Sequence, residues 1–242
     1  MQPDERLDDL QRNGLHIFQK KNGFRFGMDA VLLADFARVK PGERIADMGT
    51  GTGILPLLLS QKAEACTFAA FEIQPDMADM AARSVEWNGL SDRIRVYGAD
   101  MRRAPELLGS ESVHAVVCNP PYGKRESGTA SPAEERRLAT WETDMSIEEI
   151  VRVCGQVLRN RGRLSMAYPA QRLLELCDAM RRARLEPKRL RLVCARENRP
   201  PYLALAEAVK NARPGLCWLP PLAVLDENGR ETPEIDRIYH RA

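Results

Sequence analysis

The chain has 242 residues, of which 44% are hydrophobic and 29% are charged, and its formal net charge is +2. This length suffices for one large domain with a substantial core, and the small net charge means that any basic surface for nucleic acid must be local. The sequence contains no apolar run of about 18 residues, and its first residues are acidic, unlike those of a signal peptide. We therefore expect a soluble, cytoplasmic protein without a membrane partner.

Six cysteines and three histidines are spread widely along the chain, without a C-x-x-C pair or a cluster of ligand spacing. This pattern predicts reduced, mostly buried thiols, without a disulfide framework or a metal site.

Residues 4–21 are charged and predict an irregular segment, in which residues 14–19 are the one candidate strand. An apolar helix is predicted from Met28 and Asp29 through residue 37, because Gly27 precedes a run of apolar residues. Asp29 in the first turn either complements the helix dipole or contacts a ligand, and the sequence leaves both readings open.

A glycine-rich loop follows the first buried strand, which is predicted at residues 44–48 and ends with Asp47-Met48. The loop is Gly49-Thr50-Gly51-Thr52-Gly53, and a predicted helix follows it at residues 54–60. Glycines in this setting permit close approach of the backbone to a ligand. The spacing differs from the G-x-G-x-x-G of dinucleotide-binding proteins and lacks the G-K-[ST] of a P-loop, so both of those ligand classes are disfavoured.

Acidic residues stand at the ends of the next two predicted strands. Glu72 follows residues 68–71, about 20 residues beyond the glycine loop, where a carboxylate accepts hydrogen bonds from ribose hydroxyls. Asp100 follows residues 94–99 and either accepts a hydrogen bond from an adenine amino group or caps the following helix.

The tetrapeptide Asn119-Pro120-Pro121-Tyr122 follows a fourth buried strand at residues 113–118. Methyl transfer to a planar amino nitrogen needs such groups, because the delocalised lone pair becomes a better nucleophile when both N–H groups donate hydrogen bonds. The Asn119 side-chain oxygen and the Pro120 carbonyl oxygen supply two acceptors, and the two prolines restrain their geometry. Tyr122 offers a flat face for stacking. Asn-Pro-Pro also forms ordinary turns, so the tetrapeptide alone does not decide the function.

The second half of the chain contains a polar loop and a basic patch. Residues 123–140 predict a mobile loop beside the site, in which Lys124 and Arg125 are candidate phosphate contacts. A helix over residues 147–158 is predicted to start at a capping box of Ser146 and Glu149. The densest basic patch, at residues 181–184 and 188–191, predicts either an RNA footprint or complementation of a helix dipole.

Alternating strands and helices predict an α/β fold with a mostly parallel sheet and helices on both faces. The glycine loop, Glu72, Asp100 and Asn119 then converge on the carboxyl edge of that sheet, where such folds bind ligands. We divide the chain into an N-terminal extension, residues 1–27, and a single domain, residues 28–242.

On these motifs the chain resembles the class I S-adenosylmethionine-dependent methyltransferases. More narrowly, residues 26–33, 185–191 and 220–222 make it similar to the bacterial adenine-N6 tRNA methyltransferases that modify the adenine next to the anticodon of a valine tRNA. The resemblance implies a Rossmann-like, seven-stranded sheet whose last strand, residues 202–209, is antiparallel. It implies S-adenosylmethionine as the cofactor, tRNA as the partner and no metal.

The resemblance also implies roles for individual residues. Asn119, Pro120 and Tyr122 hold the target base, with Lys124 and Arg125 as further substrate contacts. The implied cofactor-binding residues are Met28, Asp29, Asp47, Gly49, Thr50, Gly51, Glu72, Ile73, Asp100, Met101 and Asn119.

We therefore predict methyl transfer to the N6 amine of an adenine in tRNA. Two alternatives stay open: methylation of a protein glutamine at N5, which uses the same tetrapeptide, and an RNA-binding protein with a residual cofactor pocket. The first usually needs an N-terminal helical domain, for which roughly 25 residues before Gly27 leave little room. The sequence does not predict the oligomeric state.

Overall fold

The computed structural model describes residues 2–22, 26–120 and 145–240, and within them strands and helices alternate along most of the chain. The strands are β1 (Glu5–Asp9), β2 (His16–Lys20), β3 (Arg44–Met48), β4 (Thr67–Glu72), β5 (Ile94–Gly98), β6 (Val113–Cys118), β7 (Leu158–Pro169), β8 (Leu185–Arg196), β9 (Pro201–Lys210), β10 (Cys217–Trp218) and β11 (Leu222–Leu225). The α-helices are α1 (Met28–Phe36), α2 (Ile54–Ser60), α3 (Pro75–Trp87), α4 (Ala104–Leu108), α5 (Ile147–Val157), α6 (Leu173–Arg182) and α7 (Pro233–Ile238).

One large sheet organises these elements, with the strand order β5-β4-β3-β6-β7-β9-β8-β10 and with β11 also paired to β8. Every pairing is parallel except those of β9, which runs antiparallel to both β7 and β8. The predicted α/β class and the antiparallel strand over residues 202–209 are therefore confirmed. The seven predicted strands are present, and the short strands β10 and β11 extend the sheet beyond β8.

The core has two layers because successive residues of each buried strand point to opposite faces of the sheet. Ile45 of β3 packs in the layer covered by α1 and α2, whereas Ala46 and Met48 pack in the layer covered by α4, α5 and α6. The predicted capping box fixes the start of α5: the Ser146 hydroxyl accepts from the Glu149 N–H at 3.2 Å, and the Glu149 carboxylate accepts from the Ser146 N–H at 2.9 Å.

An antiparallel hairpin of β1 and β2 precedes the large sheet and packs against α3. The expectation that residues 4–13 are irregular is wrong for β1, which is a charged strand without alternating apolar residues. Its pairing with β2 stabilises it, as does the ion pair between buried Glu5 and Arg83 of α3 at 2.6 Å. The Asn88 side chain binds the backbone of His16 through both its oxygen and its nitrogen. The division at residue 27 stays a prediction.

All six cysteines are free thiols. Within the described ranges, no three or more His, Cys, Asp or Glu side chains are grouped as metal ligands. Among these same residues, no helix combines the length and the apolar character that crossing a bilayer requires.

Candidate active site

The strand order reverses between β3 and β6, and this switch point positions the site. Moving outward from β3, the chain continues through β4 and β5 on one side and through β6 and β7 on the other. Loops that leave the carboxyl ends of β3 and β6 therefore diverge, and in open α/β sheets the crevice at such a switch point is the usual ligand site. The glycine loop follows β3, and Asn119 follows β6.

The glycine loop begins with a bend that only glycine accommodates easily. Gly49, Gly51 and Gly53 have φ values of 80°, 58° and 90°, in the left-handed region. The N–H groups of Gly49 and Thr50 both donate to the Phe71 carbonyl of β4, at 3.0 and 2.8 Å. These bonds fix the loop over the sheet edge, so that it is already shaped before a ligand arrives.

Asp47 lies fully buried directly beneath this loop, on β3. Among the described residues, none forms a hydrogen bond with either of its carboxylate oxygens, and the buried hydroxyls of Thr50 and Thr52 are equally unpartnered. Burial raises the pKa of Asp47 from 3.8 to about 7, and the Glu72 carboxylate adds to the rise. The Thr50 hydroxyl opposes this rise of the pKa, although its geometry falls outside that of a hydrogen bond. Thr52, a buried residue of the glycine loop, was not singled out from the sequence.

Glu72 connects the end of β4 to the glycine loop. Its carboxylate accepts from the Gly51 N–H at 2.9 Å and from the Gln74 N–H at 2.8 Å. Burial raises the pKa of Glu72, while these backbone N–H groups and that of Ile73 lower it. Each oxygen keeps a further lone pair for a ligand hydroxyl. Ile73, the next residue, exposes 55% of its surface.

Asp100 and Met101 lie at the end of β5. Asp100 caps the short 3-10 helix Met101–Arg103, because its carboxylate accepts from the Arg102 N–H at 2.8 Å. It also pairs with the Arg102 guanidinium, which lowers the pKa of Asp100. The capping role that the sequence left open is therefore real, and it does not consume every lone pair of the carboxylate. Met101 is buried, and its methyl carbon would lie 3.7 Å from a Cβ added at Gly49.

Asn119 and Pro120 begin the loop on the other side of the crevice. Asp47 pairs with Val117, so Gly49 and Asn119 each stand two residues beyond a paired position on adjacent strands, which lie about 4.8 Å apart. The Cys118 thiol donates to the Met48 carbonyl at 3.1 Å and holds the two strand ends together. Asn119 is partly exposed and Pro120 is buried. Pro121, Tyr122, Lys124, Arg125 and the predicted loop at residues 123–140 lie outside the described residues.

Met28 and Asp29 open α1, whose first residue follows Gly27 without a side-chain cap. Both are partly buried, and Asp29 lies close enough to Tyr202 at the start of β9 to add to the rise of the Tyr202 pKa, which burial brings to about 12. Since β9 is antiparallel, its first residues lie at the carboxyl edge of the sheet, which places α1's first turn at the same edge as the glycine loop.

Comparison of the sequence and fold with known proteins identifies the family. The profile of the methyltransferase small domain family matches residues 27–183. This chain belongs to the methyltransferase small domain family. A protein from Porphyromonas gingivalis (strain ATCC 33277) named tRNA1(Val) (adenine(37)-N6)-methyltransferase is 30% identical over 189 residues, which cover 76% of this chain and 73% of that protein.

Further matches agree with the family. A protein of the same name from Parabacteroides distasonis is 28% identical over 79% of each chain. A crystal structure from Agrobacterium tumefaciens, described as a predicted O-methyltransferase, superposes with a TM-score of 0.72 at 26% identity and covers 88% of this chain and 96% of that one. The chain is thus a class I methyltransferase that depends on S-adenosylmethionine.

The residues present fit this cofactor. S-adenosylmethionine carries an ammonium group and a sulfonium. The buried Asp47 carboxylate and the Thr50 and Thr52 hydroxyls, which have no hydrogen-bond partner among the described residues, offer oxygen atoms to such a polar, cationic ligand. Glu72, at the end of the next strand, has lone pairs left for ribose hydroxyls. The glycines of the loop carry no side chains, which permits a ligand to approach its backbone closely.

Proposed function

We propose that this methyltransferase transfers the methyl group of S-adenosylmethionine to the N6 amine of an adenine in tRNA. One observation carries the proposal: Asn119 and Pro120 follow β6 directly beside the glycine loop that follows β3, at the switch point of the sheet. An acceptor held by these two residues lies next to the cofactor loop.

Asn119 and Pro120 would hold the amine by accepting hydrogen bonds from its two N–H groups. The Asn119 side-chain oxygen accepts one N–H, and the Pro120 carbonyl oxygen accepts the other, so the nitrogen lone pair turns toward the cofactor. The bound cofactor supplies a methyl group on a sulfonium, which is already activated for displacement. Positioning therefore contributes most of the rate enhancement, and the proton left on the methylated amine is acidic enough to pass to water.

We assign the remaining residues around this centre. Asp47, Gly49, Thr50 and Gly51 would hold the methionine part of the cofactor, together with Met28 and Asp29 from α1. Glu72 would bind the ribose, Ile73 and Met101 would pack against the adenine ring, and Asp100 would accept from the adenine amine. Tyr122 would stack on the target base, with Lys124 and Arg125 contacting RNA phosphates.

The names of the relatives support tRNA as the substrate class, since several carry tRNA1(Val) (adenine(37)-N6)-methyltransferase. An adenine in a folded loop must leave its stack to enter a crevice, which is how enzymes reach base amines. Such an activity belongs in the cytoplasm, where tRNA is found.

Product mapping tests the proposal. The purified protein is incubated with labelled S-adenosylmethionine and, separately, with unmodified tRNA or with a protein translation factor, and the labelled product is hydrolysed and identified. We expect N6-methyladenosine from tRNA and no label in the protein. Label on a glutamine side chain, or on a ribose or base oxygen, would replace the proposed reaction with another methyl transfer.

A further inference from the structure

The basic patch at residues 181–184 and 188–191 divides into two parts in the structure. Arg189 pairs with buried Glu207 at 3.3 Å, and Arg191 pairs with Glu234 at 2.7 Å, so these two arginines serve the fold. Arg181 pairs with Glu186 at 3.3 Å. Arg182 and Arg184 are exposed and make no ion pair with any described residue. Arg189 and Arg191 are thus already paired with carboxylates of β9 and α7. The RNA footprint, one of the two readings of this patch, stays a prediction.

Two other segments bring further exposed arginines beside Arg184. Arg159 and Arg161 lie in a bulge near the start of β7, where the register with β6 shifts. Arg213 follows the end of β9. Like Arg182 and Arg184, these three arginines are exposed and have no ion-pair partner within the described ranges. We call this surface the amino-edge patch: Arg159, Arg161, Arg182, Arg184 and Arg213.

Hydrogen bonds fix the three segments to one another. The Asn211 N–H donates to the Arg184 carbonyl at 2.9 Å, and the Asn211 side chain donates to the Asn160 side-chain oxygen at 3.1 Å. Lys210 donates to the Leu158 carbonyl at 2.7 Å. The bulge itself depends on Gly162, since an added Cβ would lie 2.8 Å from the Arg159 carbonyl oxygen. The arginine backbones are thus held together before any partner binds.

Two acidic residues near the patch already form ion pairs with residues outside it. Glu186 pairs with Arg181, and Glu111 pairs with Lys210 at 3.0 Å. Asp178, one helical turn before Arg182, forms no ion pair with a described residue. The net charge of the whole chain is only +2, so a positive field at this surface must come from the local arginines and not from the chain as a whole. A planar guanidinium group donates two parallel hydrogen bonds to the oxygens of one phosphate. Clustered arginines are therefore well suited to bind a nucleic-acid backbone.

The patch lies at the amino edge of the sheet, opposite the active site. β6 runs from Val113, which pairs with Leu158 beside the bulge, to Cys118, directly before Asn119. Six residues of strand span about 20 Å. An RNA must therefore extend well beyond the methylated loop to contact both surfaces, which full-length tRNA does and a loop on a short stem does not.

We propose that the amino-edge patch binds the phosphate backbone of the tRNA substrate away from the methylated loop. This inference rests on the proposed function and adds a second, sequence-independent contact to it. Phosphate contacts of this kind position the RNA and increase affinity, while the crevice at the carboxyl edge selects the base.

The test compares two variants that each lose three positive charges. The patch variant carries Arg159→Gln, Arg184→Gln and Arg213→Gln. The control variant carries Lys40→Gln, Arg95→Gln and Arg237→Gln, all at exposed positions outside the patch. The dissociation constant for full-length tRNA is measured as a function of salt concentration, and methyl transfer is measured with full-length tRNA and with the target loop on a stem of four base pairs.

We expect the patch variant to bind full-length tRNA at least about tenfold more weakly, with a salt slope lower by about 2 to 3. Its methyl transfer to the short stem–loop should equal that of the wild type, and the control variant should keep the wild-type affinity. Wild-type affinity and slope in the patch variant, with methylation of tRNA intact, would overturn this inference alone. Failure of the wild type to bind or methylate tRNA would overturn the proposed function and this inference with it. If the triple variant unfolds, the single variants decide: each should lower the slope by about 1.

Discussion

At the scale of a single residue, the buried carboxyl group of Asp47 destabilises the fold, and we propose that it contributes to binding the cofactor. Its carboxyl group is fully buried and unpartnered among the described residues, which raises its pKa to about 7. A carboxylate in such surroundings is unfavourable until a cation or a set of donors approaches it. The protein thus keeps a strained group where S-adenosylmethionine would bring positive charge.

Replacing Asp47 with asparagine should remove the free-energy penalty of burying an ionised carboxyl group. The pKa of Asp47 in the folded state lies above its unfolded value near 3.8. The contribution of Asp47 to the stability of the protein is therefore fully present below pH 4 and is lost as the pH rises through 7. At pH 8 we expect the free energy of unfolding of Asp47→Asn to exceed that of the wild type by at most about 4 kcal/mol. At pH 4 the two free energies of unfolding should differ little. The same variant should bind S-adenosylmethionine more weakly.

Urea unfolding at pH 4, 6 and 8, with calorimetry for the cofactor, checks this prediction. Asp92→Asn, at an exposed carboxylate, is the matched control. A difference between wild type and Asp47→Asn that stays constant from pH 4 to 8 would show that the carboxyl group titrates normally.

Helices α2 and α3 depend on one another through Gly53, at the scale of elements. Gly53 caps the start of α2 with a φ of 90°, and a Cβ added there would lie 3.3 Å from the Cβ of Ala81 on α3. The absence of a side chain therefore serves two needs: the left-handed turn of the glycine loop and the close approach of the two helices that support it.

The variant Gly53→Ala should lose both contributions. Gly42→Ala is the control, because Gly42 has a φ of 74° but open space around the added Cβ. We expect Gly42→Ala to cost about 1–2 kcal/mol from backbone conformation. Gly53→Ala should cost about 1–3 kcal/mol more through crowding against α3. Equal free energies of unfolding for the two variants would mean that α3 moves away without cost.

The predictability of the elements differs with their burial. The strands β3, β4 and β6 are nearly continuous apolar runs, which is typical of parallel strands covered on both faces. The charged strand β1 and the two-residue strand β10 have no such pattern, and pairing partners elsewhere in the chain stabilise them. The capping box at Ser146 and Glu149 was predictable because both partners are three residues apart.

The active site is assembled from distant segments at the scale of the whole molecule, and only part of it can be predicted from sequence. The carboxyl ends of parallel strands meet at one edge, so the placement of Gly49, Glu72 and Asn119 followed from strand order. The amino-edge patch did not, because Arg159, Arg184 and Arg213 come from three turns that only the sheet topology brings together. The same holds for Arg189, whose partner Glu207 lies on the neighbouring antiparallel strand.

The central claim is that the Asn119 side-chain oxygen and the Pro120 carbonyl hold the acceptor amine beside the cofactor loop. Because the other residues assigned to the cofactor follow β3, β4 and β5 or open α1, whereas Asn119 follows β6, its removal should affect transfer more than cofactor binding. The variant Asn119→Asp keeps an oxygen acceptor at the same position and serves as the matched control.

The most direct measurement is the single-turnover rate of methyl transfer to tRNA, with the S-adenosylmethionine dissociation constant measured in parallel. We predict that Asn119→Ala lowers the rate by at least about 100-fold, with cofactor affinity nearly unchanged, and that Asn119→Asp retains more of the rate than Asn119→Ala. A wild-type rate in Asn119→Ala would contradict the account, as would a loss of rate explained entirely by lost cofactor binding.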